Sequence, residues 1–199
     1  MQFNHLIDML LEQDESIFQP RKVEDRQNRY EQQIYRKIQD YIKNGSKGNL
    51  NLSRTPIQTL PDGLKVGGNL NLNRTPIKSL PDGLRVSGNL DLAGTQIKTL
   101  PDGLKVGGHL NLMGTQIKTL PAGLEVGGSL DLSHTPIQTL PAGLKVGGDL
   151  NLILTPIQTL PGGLKVGGTL WLSYTPIAKQ YDRQQLKQMY PGVKGHINI

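Results

Sequence analysis

Gly68-Asn69-Leu70-Asn71-Leu72-Asn73-Arg74-Thr75-Pro76-Ile77-Lys78-Ser79-Leu80-Pro81-Asp82-Gly83-Leu84-Arg85-Val86-Ser87 is the stretch whose reading decides the fold. It returns with a period of twenty: Leu50, Leu70, Leu90, Leu110, Leu130, Leu150 and Leu170 each open the pattern G-x-L-x-L-x-x-T-x-I-x-x-L-P-x-G-L-x-V-G. A fixed period of this length marks a stack of like structural units. Leu70 and Leu72 alternate with polar residues, so a short strand turns both leucines to one side. Pro81 and Gly83 interrupt the rest of the unit, and a proline removes a helical hydrogen bond, so the return path is extended or tightly turned. Gly67 and Gly68 are expected to supply a positive-φ or tight corner into the next strand. Ser87 replaces the first of these glycines once, so that slot tolerates a side chain.

One unit alone would leave Leu70, Leu72, Ile77, Leu80, Leu84 and Val86 in water. Stacking buries them against the neighbouring units, worth roughly 1.5–3 kcal/mol for each fully buried side chain. Seven parallel strands about 4.8 Å apart span about 29 Å. The pattern resembles the leucine-rich-repeat family in its short bacterial form with a Leu-Pro step, over residues 48–178. The resemblance implies an α/β repeat solenoid. It would be a right-handed leucine-rich-repeat array with a short parallel sheet on the concave face and extended convex segments without helices. Thr55, Thr75, Thr95, Thr115, Thr135, Thr155 and Thr175 occupy the slot where the family usually places a ladder of Asn. A Thr hydroxyl can also satisfy backbone groups at a bend. The family includes secreted effectors and many bacterial and phage-encoded proteins.

The ends of such an array would expose core, so caps are expected. Phe3, Leu6, Ile7 and Leu10 fall at helical spacing, as do Tyr30, Ile34, Ile38 and Ile42, which predicts an N-terminal helical hairpin. Pro20 lies in its linker, and Asn44-Gly45 ends its second helix. Asp182 can cap a short helix ending near Met189, after which Pro191-Gly192 turns the chain into a closing strand within 193–199. The expected organisation is a helical cap over 1–44, seven repeats over 45–178 and a helix-plus-strand cap over 179–199.

The 199 residues carry a net charge of +6 and no cysteine. The absence of cysteine removes disulfides, thiolate nucleophiles and thiolate metal ligands, and fits a reducing compartment. No segment approaches the roughly 18 apolar residues of a membrane span, and the start lacks the basic leader of a signal peptide. A cytoplasmic, intracellular protein is expected, with delivery into a host cell as the alternative. Residues 45–178 carry eleven Lys/Arg against seven Asp/Glu and residues 179–199 four against one, so the basic excess lies in the repeats and the C-terminus.

No reaction chemistry is expected, and no cofactor. His109 and His134 lie in adjacent repeats but about 16 Å apart along the strand direction, so they cannot share a metal ion. His5 and His196 belong to opposite caps. Asp131, Ser133 and His134 spell a hydrolase triad, but neighbouring strand residues point to opposite faces and nothing supplies an oxyanion hole; they read as surface polar residues. The Gly-Gly pairs precede strands and lack the Lys-Ser/Thr step of a phosphate loop.

Because core letters repeat, recognition must lie in the letters that change. Outward residues form four columns on the sheet: Asn49 to Thr169, Asn51 to Trp171, Ser53 to Ser173, and Arg54 to Tyr174. Along them the surface passes from Asn and Arg to Ile153, Leu154, Trp171 and Tyr174, with Met113 and His134 beside them. Exposed aromatic and aliphatic side chains dominate interface energetics, so these residues, with Asp131 and Asn151, form the candidate protein-binding site. The competing reading covers Trp171 and Tyr174 with the C-terminal cap.

The function expected is a non-enzymatic adaptor, effector or inhibitor that binds a protein partner. A second reading uses a basic stripe (Lys65, Arg85, Lys105, Lys145, Lys165, broken by Glu125, and Lys78, Lys98, Lys118) to hold nucleic acid. Asp62, Asp82 and Asp102 run beside that stripe and no aromatics interleave it, so a solvated edge is favoured. A third reading has the N-terminal helices associate with themselves, giving a weak homo-oligomer in place of a monomer.

Overall fold

The computed structural model describes residues 24–199. The chain divides into two compact units, residues 1–33 and 34–199. The helix proposed over Phe3–Leu10 and the linker at Pro20 lie outside the described residues.

Residues 50–199 wind as stacked coils, as the twenty-residue period requires. Seven two-residue strands, from Leu50–Asn51 to Leu170–Trp171, pair in parallel with each leucine level with the leucine twenty residues on. Ile197–Asn198 joins as an eighth parallel strand, Ile197 beside Leu170 and Asn198 beside Trp171, so the closing strand is present. The return segments go further than expected. Lys65–Val66, Arg85–Val86, Lys105–Val106, Glu125–Val126, Lys145–Val146 and Lys165–Val166 form a second, six-stranded parallel sheet.

The two ladders run in opposite senses. On the leucine side, N–H groups donate forward to the next coil, as Leu70 N to Asn89 O at 2.8 Å and Leu72 N to Asp91 O at 2.8 Å. On the valine side they donate backward, as Ser87 N to Val66 O at 2.8 Å and Gly107 N to Val86 O at 2.9 Å. Each coil is thus held to both neighbours on both faces. Between the ladders, Leu50 to Leu170, Leu52 to Leu172 and Ile77 to Ile177 build one continuous buried core.

The Gly-Gly pair works by close approach and not by φ. A Cβ at Gly67 would lie 2.8 Å from Ser46 O, and one at Gly68 would lie 2.5 Å from Asn49 Oδ1. Neither glycine is in the left-handed region; that conformation belongs to the Pro-x-Gly turn, as at Gly83 (φ 73°). The second glycine of each pair leaves room for a side chain of the preceding coil. Asn69 Oδ1 accepts from Asn89 N (2.8 Å), Asn89 Oδ1 from His109 N (2.8 Å), His109 Nδ1 from Ser129 N (2.8 Å), and Ser129 Oγ from Asp149 N (3.0 Å). The side-chain ladder between coils therefore stands at the first outward column. The threonines act within a single coil. Each hydroxyl donates to the carbonyl three residues back, as Thr115 Oγ1 to Leu112 O at 2.8 Å, and so closes the bend.

Helix α1 (Glu24–Lys43) buries Ile34 and Ile38 in the core and packs Tyr41 against it, while Tyr30 and Ile42 are exposed. The expected stripe of Tyr30, Ile34, Ile38 and Ile42 is thus rotated toward Tyr41, whose ring packs on the core and whose hydroxyl meets the first coil. Its hydroxyl lies 2.7 Å from Ser46 O and 2.9 Å from Gly48 O and accepts from Gly67 N. Lys37 Nζ donates to Asn51 O at 2.6 Å, the carbonyl whose equivalent one coil on, Asn71 O, is bonded by Leu52 N. The ammonium replaces the N–H that a preceding coil would have supplied. Past the helix, Gly45 is left-handed (φ 78°) and Ser46 N bonds Tyr41 O, as a glycine C-terminus predicts.

At the other end, Asp182 and Gln185 form a capping box on α3 (Arg183–Met189), as Asp182 suggested. A short helix α2 (Pro176–Gln180) precedes it, which the repeat pattern did not announce. The seventh repeat lacks the Leu-Pro step, so with Thr175 as N-cap and Pro176 at the first turn nothing breaks the helix. Lys187 Nζ ties α3 to Val193 O and Gly195 O. Among the described residues no helix is long and apolar enough to cross a membrane.

Coil-to-coil approach yields a direct stability test. Gly108→Ala places a methyl against Asn89 Oδ1 and the Gly88 backbone and is expected to cost about 1–3 kcal/mol. Gly162→Ala meets nothing within 4 Å and has no left-handed φ, so it should be neutral or stabilise by about 0.4–1 kcal/mol. Urea unfolding midpoints of the two variants check the contrast.

Candidate functional site

The four outward columns differ in kind. Only the second lies within the strands. In it Asn111, Asp131 and Asn151 sit side by side, and each Oδ1 accepts the N–H two residues on: Met113 N at 3.1 Å, Ser133 N at 2.8 Å and Ile153 N at 3.1 Å. Asp131 and Asn151 are half-buried, and these bonds fix their orientation at the strand end. Trp171 ends this column with an indole that cannot accept such a bond, and it is 37% exposed beside Asn198 of the closing strand.

The third and fourth columns lie past the strand, at a bend, and not on the pleated surface expected for them. Arg54, Arg74, His134, Leu154 and Tyr174 all have φ between 55° and 61°, and Gly94 and Gly114 have 67° and 69°. Left-handed backbone disfavours L side chains by about 1–2 kcal/mol and is rare for bulky residues. Glycine meets the requirement at two levels, yet Leu154 and Tyr174 keep large side chains there and hold them in solvent, 47% and 76% exposed. Neither burial nor backbone preference explains them.

Arg54, Arg74 and His134 share the strained backbone and are exposed too, but Leu154 and Tyr174 are the positions of this column that expose large hydrophobic side chains. His134 N donates to Ile153 O at 3.0 Å and Leu154 N to Ser173 O at 3.2 Å, so the bend continues the ladder and sets consecutive levels side by side. Met113 is 44% exposed two levels before Ile153, which is half-buried. Tyr174 and Trp171 remain accessible with the closing strand and both C-terminal helices in place. Ser133 corrects its reading as a surface residue: it is buried, and Asp131 Oδ1 serves the Ser133 backbone N–H. His109 is exposed and accepts from Ser129 N through Nδ1, which gives it a place in the ladder between coils. Among the described residues no group of three or more His, Cys, Asp or Glu is gathered to hold a metal.

The bend also holds a feature that reading the columns alone misses. Gly94 and Gly114 leave an open hollow of about 320 Å³ between Arg74 and His134, with Ala93 and Met113 also lining it. Its signal is the paired departure of two levels, Gly94-Thr95-Gln96-Ile97-Lys98 and Gly114-Thr115-Gln116-Ile117-Lys118, where glycine and glutamine replace a larger residue and proline. On the second sheet Lys65, Arg85, Lys105, Glu125, Lys145 and Lys165 stand in register as a column. Lys105 Nζ meets Glu125 Oε2 at 3.1 Å, with both side chains more than half exposed, a pair that adds little stability.

No family model matches the chain, and no curated protein does. Among solved structures the chain is similar to the structure of a Shigella effector leucine-rich-repeat domain. The TM-score is 0.50 and the identity 14%, covering 85% of this chain and 88% of that one. At that identity the similarity concerns the fold: stacked twenty-residue coils with a parallel sheet, as the repeat pattern implied.

Strain at this bend predicts that Leu154→Gly leaves the protein as stable as before or up to about 1 kcal/mol more so, since glycine removes the left-handed penalty at a modest entropic cost. Gly114→Leu should destabilise by about 1–2 kcal/mol. Thermal unfolding of both variants measures the pair.

Proposed function

We propose that this leucine-rich-repeat solenoid is a non-enzymatic protein-binding module that recognises its partner through the bend and sheet face of its last three levels. The observation that carries the reading is Leu154 and Tyr174 held exposed in left-handed backbone, where two sister levels use glycine. A side chain kept in spite of strain and without burial is kept for a contact made with something else. Trp171 supplies a third apolar surface beside them, with Ile153, Met113 and His134 flanking and Asp131 and Asn151 as a polar rim. Aromatic anchors with a polar surround are the composition of interface hot spots.

An adaptor, an effector or an inhibitor of a host or bacterial enzyme would all use such a surface, and the similarity to a Shigella effector domain favours the effector class. A cytoplasmic site of action and a protein active as a monomer belong to this reading. The domain division proposed is cap, repeats and cap at 1–44, 45–178 and 179–199. The basic column is assigned to solvent, because Glu125 interrupts it and no aromatic side chain lies within it for base stacking.

The test is affinity capture from native host extract with wild type and with the double variant Leu154→Gly, Tyr174→Gly, whose backbone is unstrained. A protein retained by wild type should be recovered at least tenfold less by the variant, as loss of two anchors implies. Equal recovery removes the site.

A further inference from the structure

Along the fourth column, the bend changes character with level. Arg54 and Arg74 come first, the hollow over Gly94 and Gly114 next, and the apolar ridge of Leu154 and Tyr174 last. Lys78, Lys98 and Lys118 stand four residues past the fourth column at the levels of Arg74, Gly94 and Gly114, and all three are exposed. The third and fourth columns contain no carboxylate. The acids of the strand side, Asp91, Asp131 and Asp149, each have one oxygen engaged by a backbone N–H. Arg74 has no ion-pair partner among the described residues, and its Cγ lies 3.5 Å from where a Cβ on Gly94 would stand. Its stem thus forms one wall of the hollow.

We infer that the partner presents an extended acidic-then-apolar segment that lies along the coil axis, its carboxylate side chain in the Gly94–Gly114 hollow against Arg74 and its aromatic or aliphatic side chain against Leu154 and Tyr174. The inference rests on the protein-binding reading above and adds the chemistry and direction of the ligand. Charge complementarity carries it. The hollow is lined by Arg74, with exposed Lys98 and Lys118 four residues further along the two glycine levels, and a guanidinium pairs a carboxylate through two parallel hydrogen bonds. The missing side chains at Gly94 and Gly114 provide depth for the acidic group, which a flat lysine stripe would not. Five coil steps separate Arg74 from Tyr174, about 24 Å, the reach of about seven extended residues. The cationic half is too far from the aromatic half for a nucleic acid to use both for paired phosphate and base contacts at successive nucleotides, so a peptide is favoured.

The probe is a displayed library of random twelve-residue peptides selected against the whole chain, followed by affinity measurement of the enriched peptides. Support consists of Asp or Glu enriched several residues from an aromatic or aliphatic residue, with affinity lowered at least tenfold by Arg74→Glu or Lys98→Glu and also by Leu154→Gly. Both charged residues are exposed, and circular dichroism confirms that the variants fold. Peptides weakened by Leu154→Gly and Tyr174→Gly but indifferent to charge reversal, or lacking acidic enrichment, overturn this inference and leave the protein-binding site standing. Peptides indifferent to every variant, or no enriched peptide at all, overturn both. A single-stranded oligonucleotide bound by wild type and lost with Arg74→Glu, in the absence of selected peptides, assigns the hollow to phosphate and overturns the inference as well.

Discussion

Everything in this structure depends on how closely one coil can approach the next. A twenty-residue coil cannot bury six aliphatic side chains by itself, so its core exists only as a shared volume with its neighbours. Sharing requires backbone contact at hydrogen-bond distance on both faces, and the two ladders of opposite sense supply it. The Gly-Gly pair follows from that distance: at Gly67 and Gly68 a methyl would collide with the carbonyl or the side chain of the preceding coil. Ser87 stands in the same slot with its N–H still bonded to Val66 O, so the ladder holds its register around one small side chain.

The same constraint explains the helices at the ends. A stack leaves raw edges, and unsatisfied backbone groups there are costly. Lys37 answers this at the first coil by donating to Asn51 O, the carbonyl that a preceding coil would have bonded, and the Tyr41 hydroxyl binds the Ser46 and Gly48 carbonyls of the same coil. The closing strand Ile197–Asn198 does so at the last, accepting from Leu170 N and Leu172 N through His196 O and Asn198 O. Caps and repeats are therefore one hydrogen-bonding system, continued by different chemistry at each end.

Positions that this system does not claim are free to carry recognition, and the bend after each strand is where freedom is greatest. Its backbone must turn left-handed, glycine does this without penalty, and any other residue there is retained against a small opposing force. Five of seven levels retain one, grading from arginine through histidine to leucine and tyrosine, with two glycines between. The gradient gives the solenoid a chemical direction that its repeated core lacks.

The sequence by itself determined the period, the buried leucines, isoleucines and valines, the parallel sheet, and the capping positions Asp182 and Gly45, because each follows from local alternation or local turn chemistry. It also pointed to Leu154, Trp171 and Tyr174, since departures from a repeat are visible as letters. Only the tertiary structure decided that the fourth column is left-handed, that Gly94 and Gly114 open a hollow, that Ser133 is buried, and that the first outward column and not the threonines links coil to coil. Those properties arise from atoms twenty residues apart brought into contact, and no window of sequence contains the distance between them.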